Sequence, residues 1–206
     1  MEIFGSYWDN YIERIFDNWQ KTVKPNDSVL ICGDVSWATY LEHTKKDFEF
    51  IHSLPGKKII SRGNHDYWWS TKAKLEKYRA EEGFSEFVFL HNNTIGIEGY
   101  AICAARGWKS PFDKGFTEDD RKIYERELIR LRLSLEEGKK ISDKIIVMMH
   151  YPPDVGFIDL IDEYGVKICI YGHLHGASSW EKQLPYENYH LVSADYLQFV
   201  PKLISE

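Results

Sequence analysis

The sequence predicts an α/β fold in which two packed sheets are flanked by helices. Short apolar runs alternate along the chain with segments of helical periodicity. Four of these runs stop at a polar cluster: SVLIC before Gly33-Asp34, KKIIS before Arg62-Gly63-Asn64-His65-Asp66, KIIVMM before His150, and VKICIY before Gly172-His173-Leu174-His175. A middle section adds near-consecutive β-type runs, and this mixture of strands and interspersed helices suggests two sheets rather than one.

The elements follow in order. Trp8, Tyr11, Ile12, Ile15, Phe16 and Trp19 recur on one face of a helix predicted over 6–22, which Pro25, Asn26 and Asp27 break. SVLIC at 28–32 reads as a buried strand feeding a loop. A second helix fits 38–53, with Leu41, Phe48 and Ile51 inward, and ends at Pro55-Gly56. KKIIS at 57–61 is the next strand, and 71–82 suits a helix. FVFL (87–90), TIGIEG (94–99) and YAICAA (100–105) read as strands joined by Asn-Asn and Glu-Gly turns. Thr117 caps a long helix over 118–137, with acids in its first turn; Tyr124, Leu128, Leu131 and Leu135 form its buried stripe and Gly138 its end. Strands at 144–149 and 166–171 follow, and YHLVSA and FVPKLI add one or two more. With no repeat, linker or low-complexity tract, residues 1–206 are expected to form one domain.

Hydrophobic residues make up 43% of the 206 and charged residues 28%, an ordinary globular balance. The formal net charge of -6 repels polyanions, so broad nucleic-acid binding is disfavoured, although bound cations reverse the field inside a pocket. Cys32, Cys103 and Cys169 each lie inside an apolar run and read as buried, reduced thiols, which fits a cytoplasmic protein. The first ten residues have neither the basic start nor the apolar run of a secretory signal, and no apolar run reaches the ~20 residues that span a bilayer.

Taken singly, each polar cluster has an ordinary explanation. Gly-Asp after a strand is weak, because such a carboxylate usually caps something. A lone His or Asn at a strand end is more often a hydrogen-bonded or turn residue. Together the four strand ends say more. Asn64 offers a neutral carbonyl oxygen, His65 a proton, and Asp66 a carboxylate able to orient that imidazole. His173 and His175, at i and i+2, can reach two neighbouring metal positions, and His150 is a polar anomaly unless it ligates something.

This pattern resembles the calcineurin-like metallophosphoesterase superfamily, whose motifs run Asp-x-His, Gly-Asp, Gly-Asn-His-Asp or -Glu, His, and Gly-His-x-His. The stretch from Asp27 to Trp69 is similar in particular to a bacterial subgroup of predicted phosphohydrolases. The resemblance covers nearly the whole chain and implies a four-layer α/β/β/α sandwich with a dinuclear centre between the sheets. It makes Asp34 the bridging ligand, completes one site with Asn64, His150 and His173, and gives His175 to the other. Carboxylate, amide and imidazole ligands suit Mn²⁺, Fe or Zn²⁺. Ions about 3.5–4 Å apart would supply a metal-bound hydroxide for attack on a phosphomonoester or phosphodiester. His65 is the expected proton donor, with Asp66 orienting it. Arg106 is the expected substrate contact, and Arg62, Lys109 and Lys114 are further phosphate candidates.

One family motif is missing. No Asp-x-His occurs in the sequence. By analogy with the family, a first strand and its loop of about 20 to 25 residues are expected to be lacking, through a shortened or misassigned start. That leaves one complete metal site and bears on the His175 site. An uncovered sheet edge also favours self-association, so a homo-oligomer is expected. Two rival readings remain: a non-catalytic module that keeps one ion for folding, and a nuclease with a locally basic pocket. Retention of His65 favours the enzyme, and the missing motif favours the module.

Overall fold

A computed structural model of the chain describes residues 6–205. The sequence reading of the first five residues therefore lies outside the described part. Two sheets stack on each other. The first has strand order β1-β2-β3, all parallel, built from β1 (Ser28–Ile31), β2 (Lys57–Ser61) and β3 (Phe87–Leu90). The second has order β4-β5-β6-β7-β8, from β4 (Thr94–Ile97), β5 (Tyr100–Ala105), β6 (Ile145–Met149), β7 (Ile168–Tyr171) and β8 (Tyr189–Leu191). Only β4 runs antiparallel, paired with β5 through a tight turn at Glu98-Gly99. The remaining pairs in this sheet are parallel, so the loops that follow β5, β6 and β7 leave from one end.

The alternation of side chains along β5 explains the layering. Ala101, Cys103 and Ala105 face outward onto α4 (Glu118–Ile141), against Leu131 and Leu135. Ile102 and Ala104 face the other way and join Cys32, Ile59 and Leu90 of the first sheet, with Ile146, Met148 and Ile170, in the core between the sheets. Phe157, Leu160 and Ile161 of α5 (Val155–Glu163) share the outer core with α4. On the opposite outer face, Phe48 of α2 (Lys45–Ser53) and Leu75 of α3 (Lys72–Glu81) pack on Ile60, Phe87 and Phe89. The order helices, sheet, sheet, helices is the four-layer sandwich that the family resemblance implies. All three cysteines are buried free thiols.

Several boundaries differ from the sequence reading. The first helix begins as a 3₁₀ turn at Ser6–Trp8, and α1 proper spans Tyr11–Thr22. Of its apolar stripe, Trp19 is buried against Val23 and Leu54 while Ile12 and Phe16 are exposed. The reason is position: α1 packs beside β1, the edge strand of the smaller sheet, and part of its stripe overhangs that edge. The helix expected over 38–53 opens as a 3₁₀ turn at Leu41–Thr44. Gly138 does not end α4, which runs on to Ile141. It lies inside the helix because a Cβ there would meet the Cys103 Sγ at 2.5 Å. Thr117 does cap it: Thr117 Oγ1 accepts from the Asp120 N–H while Asp120 accepts from the Thr117 N–H, a reciprocal pair that satisfies two orphan donors. The FVPKLI tail forms no strand, and α5 and the short α6 (Ala177–Trp180) went unread. Among the described residues no helix is long and apolar enough to cross a membrane.

Candidate metal centre

The loops after β1 and β2 meet first. Gly33 and Asp34 both take left-handed backbone, with φ of 84° and 56°. A Cβ on Gly33 would lie 2.3 Å from the Gly63 nitrogen, and one on Gly63 would lie 2.0 Å from Asp34 Oδ1, so both glycines are required for the two backbones to cross. Asp66 locks the crossing. Its buried carboxylate accepts from the backbone N–H groups of Gly63, Asp34, Val35 and Ser36 and from the indole N–H of Trp68. Burial pushes the Asp66 carboxyl up to about 6, and the converging donors pull the other way by favouring its charged form. This corrects the expected role of Asp66: it clamps two loops and does not touch the His65 ring. His65 Nδ1 instead lies 3.3 Å from the Tyr67 hydroxyl, and its ring stacks on Trp37 with centroids 4.8 Å apart.

The crossing aims Asp34 and Asn64 at the second sheet. Asp34 Oδ1 accepts from the His65 N–H at 2.8 Å, and Oδ2 lies 3.5 Å from His150 Nε2. His150 is buried at the end of β6. Its Nδ1 lies 2.8 Å from the Cys32 carbonyl, an atom that only accepts, so the ring proton sits on Nδ1 and Nε2 presents its lone pair. That lone pair faces Asn64 Oδ1 at 2.6 Å. His173, held at φ 71°, brings Nδ1 to 3.0 Å from the same Oδ1 and 3.2 Å from His150 Nε2. Burial lowers the His150 imidazole pKa, with Asp34 opposing. Burial, then the neighbouring His150, His175 and His65, lower that of His173 to about 3. Burial thus favours the neutral, ligand form of both imidazoles.

The sequence-predicted residues Asp34, Asn64, His150 and His173 thus converge. Ligands about 2.0–2.2 Å from a common cation stand roughly 2.8–3.6 Å from one another, and the separations here run from 2.6 to 3.5 Å. Among the described residues no three His, Cys, Asp or Glu side chains form a metal cluster by themselves; the amide oxygen of Asn64 knits this quartet. The donor set fits a divalent ion, because an acceptor oxygen and an acceptor nitrogen held lone pair to lone pair lack a positive centre between them. His175 has a carboxylate partner of its own. Its Nδ1 bonds Asp195 Oδ1 at 2.8 Å, and the other Asp195 oxygen takes the Gly176 N–H. A carboxylate behind an imidazole is the arrangement that orients metal-binding histidines. Sequence reasoning missed Asp195, the Cys32 carbonyl and Tyr67; the first had a signal in the polar aspartate closing the YHLVSA run. Arg106 is not one of the quartet: its guanidinium lies 3.5 Å from buried Glu127 and 4.5 Å over the Trp108 ring. Lys109 is tied to Asp120 at 2.8 Å.

Residues 7–177 match the sequence profile of the family described as calcineurin-like phosphoesterase. The chain belongs to that family. Calcineurin-like phosphoesterases are in general hydrolases of phosphoester bonds and normally use divalent metal ions. TT1561 of Thermus thermophilus, a solved structure, is similar with a TM-score of 0.53 at 14% identity, covering 81% of this chain and 77% of that one. That likeness is one of fold. A protein of unknown function from Aquifex aeolicus, AQ665, is 17% identical over 93% of this chain and 80% of its own, with a TM-score of 0.45. No curated protein matches the chain.

Proposed function

We propose that this phosphoesterase hydrolyses phosphomonoesters or phosphodiesters, with Asp34, Asn64, His150 and His173 holding a divalent ion of the Mn²⁺, Fe or Zn²⁺ kind. The observation that supports it is the contact of 2.6 Å between Asn64 Oδ1 and a His150 Nε2 whose proton is committed elsewhere. Such an ion, when bound, neutralises phosphoryl charge and polarises the phosphoryl oxygens. His175, oriented by Asp195, is the side chain for a second ion. The residues themselves supply position and a proton. The Asp66 clamp fixes Asn64 and Asp34 before any substrate arrives, so little reorganisation is needed. His65 leaves the same loop partly exposed, stacked on Trp37 and in reach of the Tyr67 hydroxyl, and is the group to protonate the leaving oxygen. The buried thiols support a reducing compartment such as the cytosol.

Metal content per chain, measured beside Mn²⁺-supplemented assays on p-nitrophenyl phosphate and bis-p-nitrophenyl phosphate, tests the reading. Bound metal with turnover supports it; one ion and no turnover on either ester points to the non-catalytic module. His65→Ala is expected to lower turnover by about 10²–10⁴-fold with metal content unchanged. Equal turnover removes His65 from the chemistry.

A further inference from the structure

Beside the proposed metal centre, the ends of β2 and β5 and one face of α4 bring three arginines close to one buried glutamate. Arg62 follows β2, two residues before Asn64, and Arg106 follows β5. The Arg106 carbonyl accepts from the His150 N–H, which fixes this corner directly against the quartet. Arg130 reaches in from α4. Arg106 and Arg130 both end on one oxygen of Glu127, at 3.5 Å and 2.5 Å. Among the described residues the other Glu127 oxygen is buried with no hydrogen-bond partner, and so are Arg62 Nε, Arg106 Nε and His91 Nδ1.

Two guanidinium groups therefore share one carboxylate, and a third, that of Arg62, lies close enough to feel Glu127 and Asp66 without an ion pair to either. An arginine cannot shed its proton to relieve the excess, so the arrangement is costly unless an anion completes it. The crowding reaches a neighbour: burial followed by Arg130, Arg62, Arg106 and Arg126 brings His91 down to about 3. His91 thus stays neutral and adds no charge of its own. Arg62 and Arg106 are each largely buried, so their spare donors lie in a partly desolvated corner where a doubly charged group is held more strongly than on open surface. Arg62 Nε is buried without a hydrogen-bond partner among the described residues, although Glu127 and Asp66 attract its charge.

We propose that Arg62, Arg106 and Arg130 form a second anion subsite, which takes a further phosphoryl group of a substrate whose scissile phosphoryl lies at the quartet. This rests on the proposed phosphoesterase activity and narrows its substrates to organic phosphates carrying two phosphoryl groups. Glu127 holds two of the three arginines in place and leaves a net positive corner for the ligand.

The test uses the full chain stripped of metal with a chelator and desalted, titrated calorimetrically with inorganic pyrophosphate. Metal-free protein is expected to bind pyrophosphate, and Arg62→Met to weaken that binding by about tenfold or more, the loss of one charge-assisted contact. Arg130→Met is expected to do the same. Should Arg130→Met misfold, as judged by circular dichroism, Arg62→Met still decides, since no ion pair ties Arg62 to Glu127 among the described residues. Absence of pyrophosphate binding to the metal-free protein at millimolar concentration, or equal binding by folded Arg62→Met, overturns the subsite. The two readings fail separately. Pyrophosphate binding that depends on Arg62 in a protein without turnover sustains the subsite and removes the activity. Turnover of p-nitrophenyl phosphate with no such binding does the reverse.

Discussion

The two loop pairs that build the centre are held by different means. On the first sheet, Asp34 and Asn64 sit on backbones that cross at Gly33 and Gly63 and are tied together by the Asp66 carboxylate. On the second sheet, His150 and His173 have no such clamp. His150 is fixed by burial and by its Nδ1–H bond to the Cys32 carbonyl, which belongs to the first sheet. The orientation of the second pair therefore depends on the first, while the first is braced within itself. Damage to the clamp should spread across the whole centre, and damage among the histidines should stay local.

The largest effect is expected from Asp66→Ala. It strands several buried donors at once, and the cost is about 3 kcal/mol or more, since bonds to a charged acceptor are each worth more than neutral ones. In a chain of this size that lowers Tm by roughly 6–12 °C. Metal binding should disappear with it. A Tm within 2 °C of the wild type by differential scanning calorimetry would show that the carboxylate is no clamp (about 0.5–1 kcal/mol at most).

A matched glycine pair then sharpens the contrast. Gly33→Ala forces a Cβ into the Gly63 backbone at a positive φ, and Gly138→Ala forces one onto the Cys103 sulfur inside α4. Each should destabilise by about 1–3 kcal/mol. Only Gly33→Ala should also lower metal affinity, because only that backbone positions a ligand. Equal metal binding by the two variants, measured by titration with Mn²⁺, removes the special status given to the first loop pair. The smallest effect on the fold belongs to Asp195→Asn. Its loss leaves His175 poorly oriented, and affinity for the ion at His175 should fall by about 10–100-fold. Thermal stability and the ion at the quartet should hardly change. A loss of both ions would mean that the second sheet's loops are coupled more tightly than their contacts indicate.

Much of this was legible in residue order. The strand runs KKIIS, FVFL and YAICAA keep the boundaries that their apolar pattern sets, and Thr117 caps α4 as its first-turn acids suggest. Misreadings came where a local rule met a tertiary contact. Gly138 looks like a helix end, yet α4 continues because that glycine lets the helix approach Cys103. Asp66 looks like the partner of the adjacent His65, yet its carboxylate folds back under the loop crossing, where stronger demand from orphan N–H groups captures it. α5 passed unread because its nine residues, VGFIDLIDE, are nearly as apolar as a buried strand.

By itself, then, the sequence determined the kind of fold and the strand ends at which chemistry would gather, since alternation, caps and turn residues act over a few neighbours. The tertiary structure alone decided which groups meet there: the tautomer of His150, set by a carbonyl 118 positions away, the carboxylate behind His175, and the two arginines on one glutamate. Those are contacts between distant segments, and a hydrogen bond or ion pair exists only when both partners arrive within about 3–4 Å.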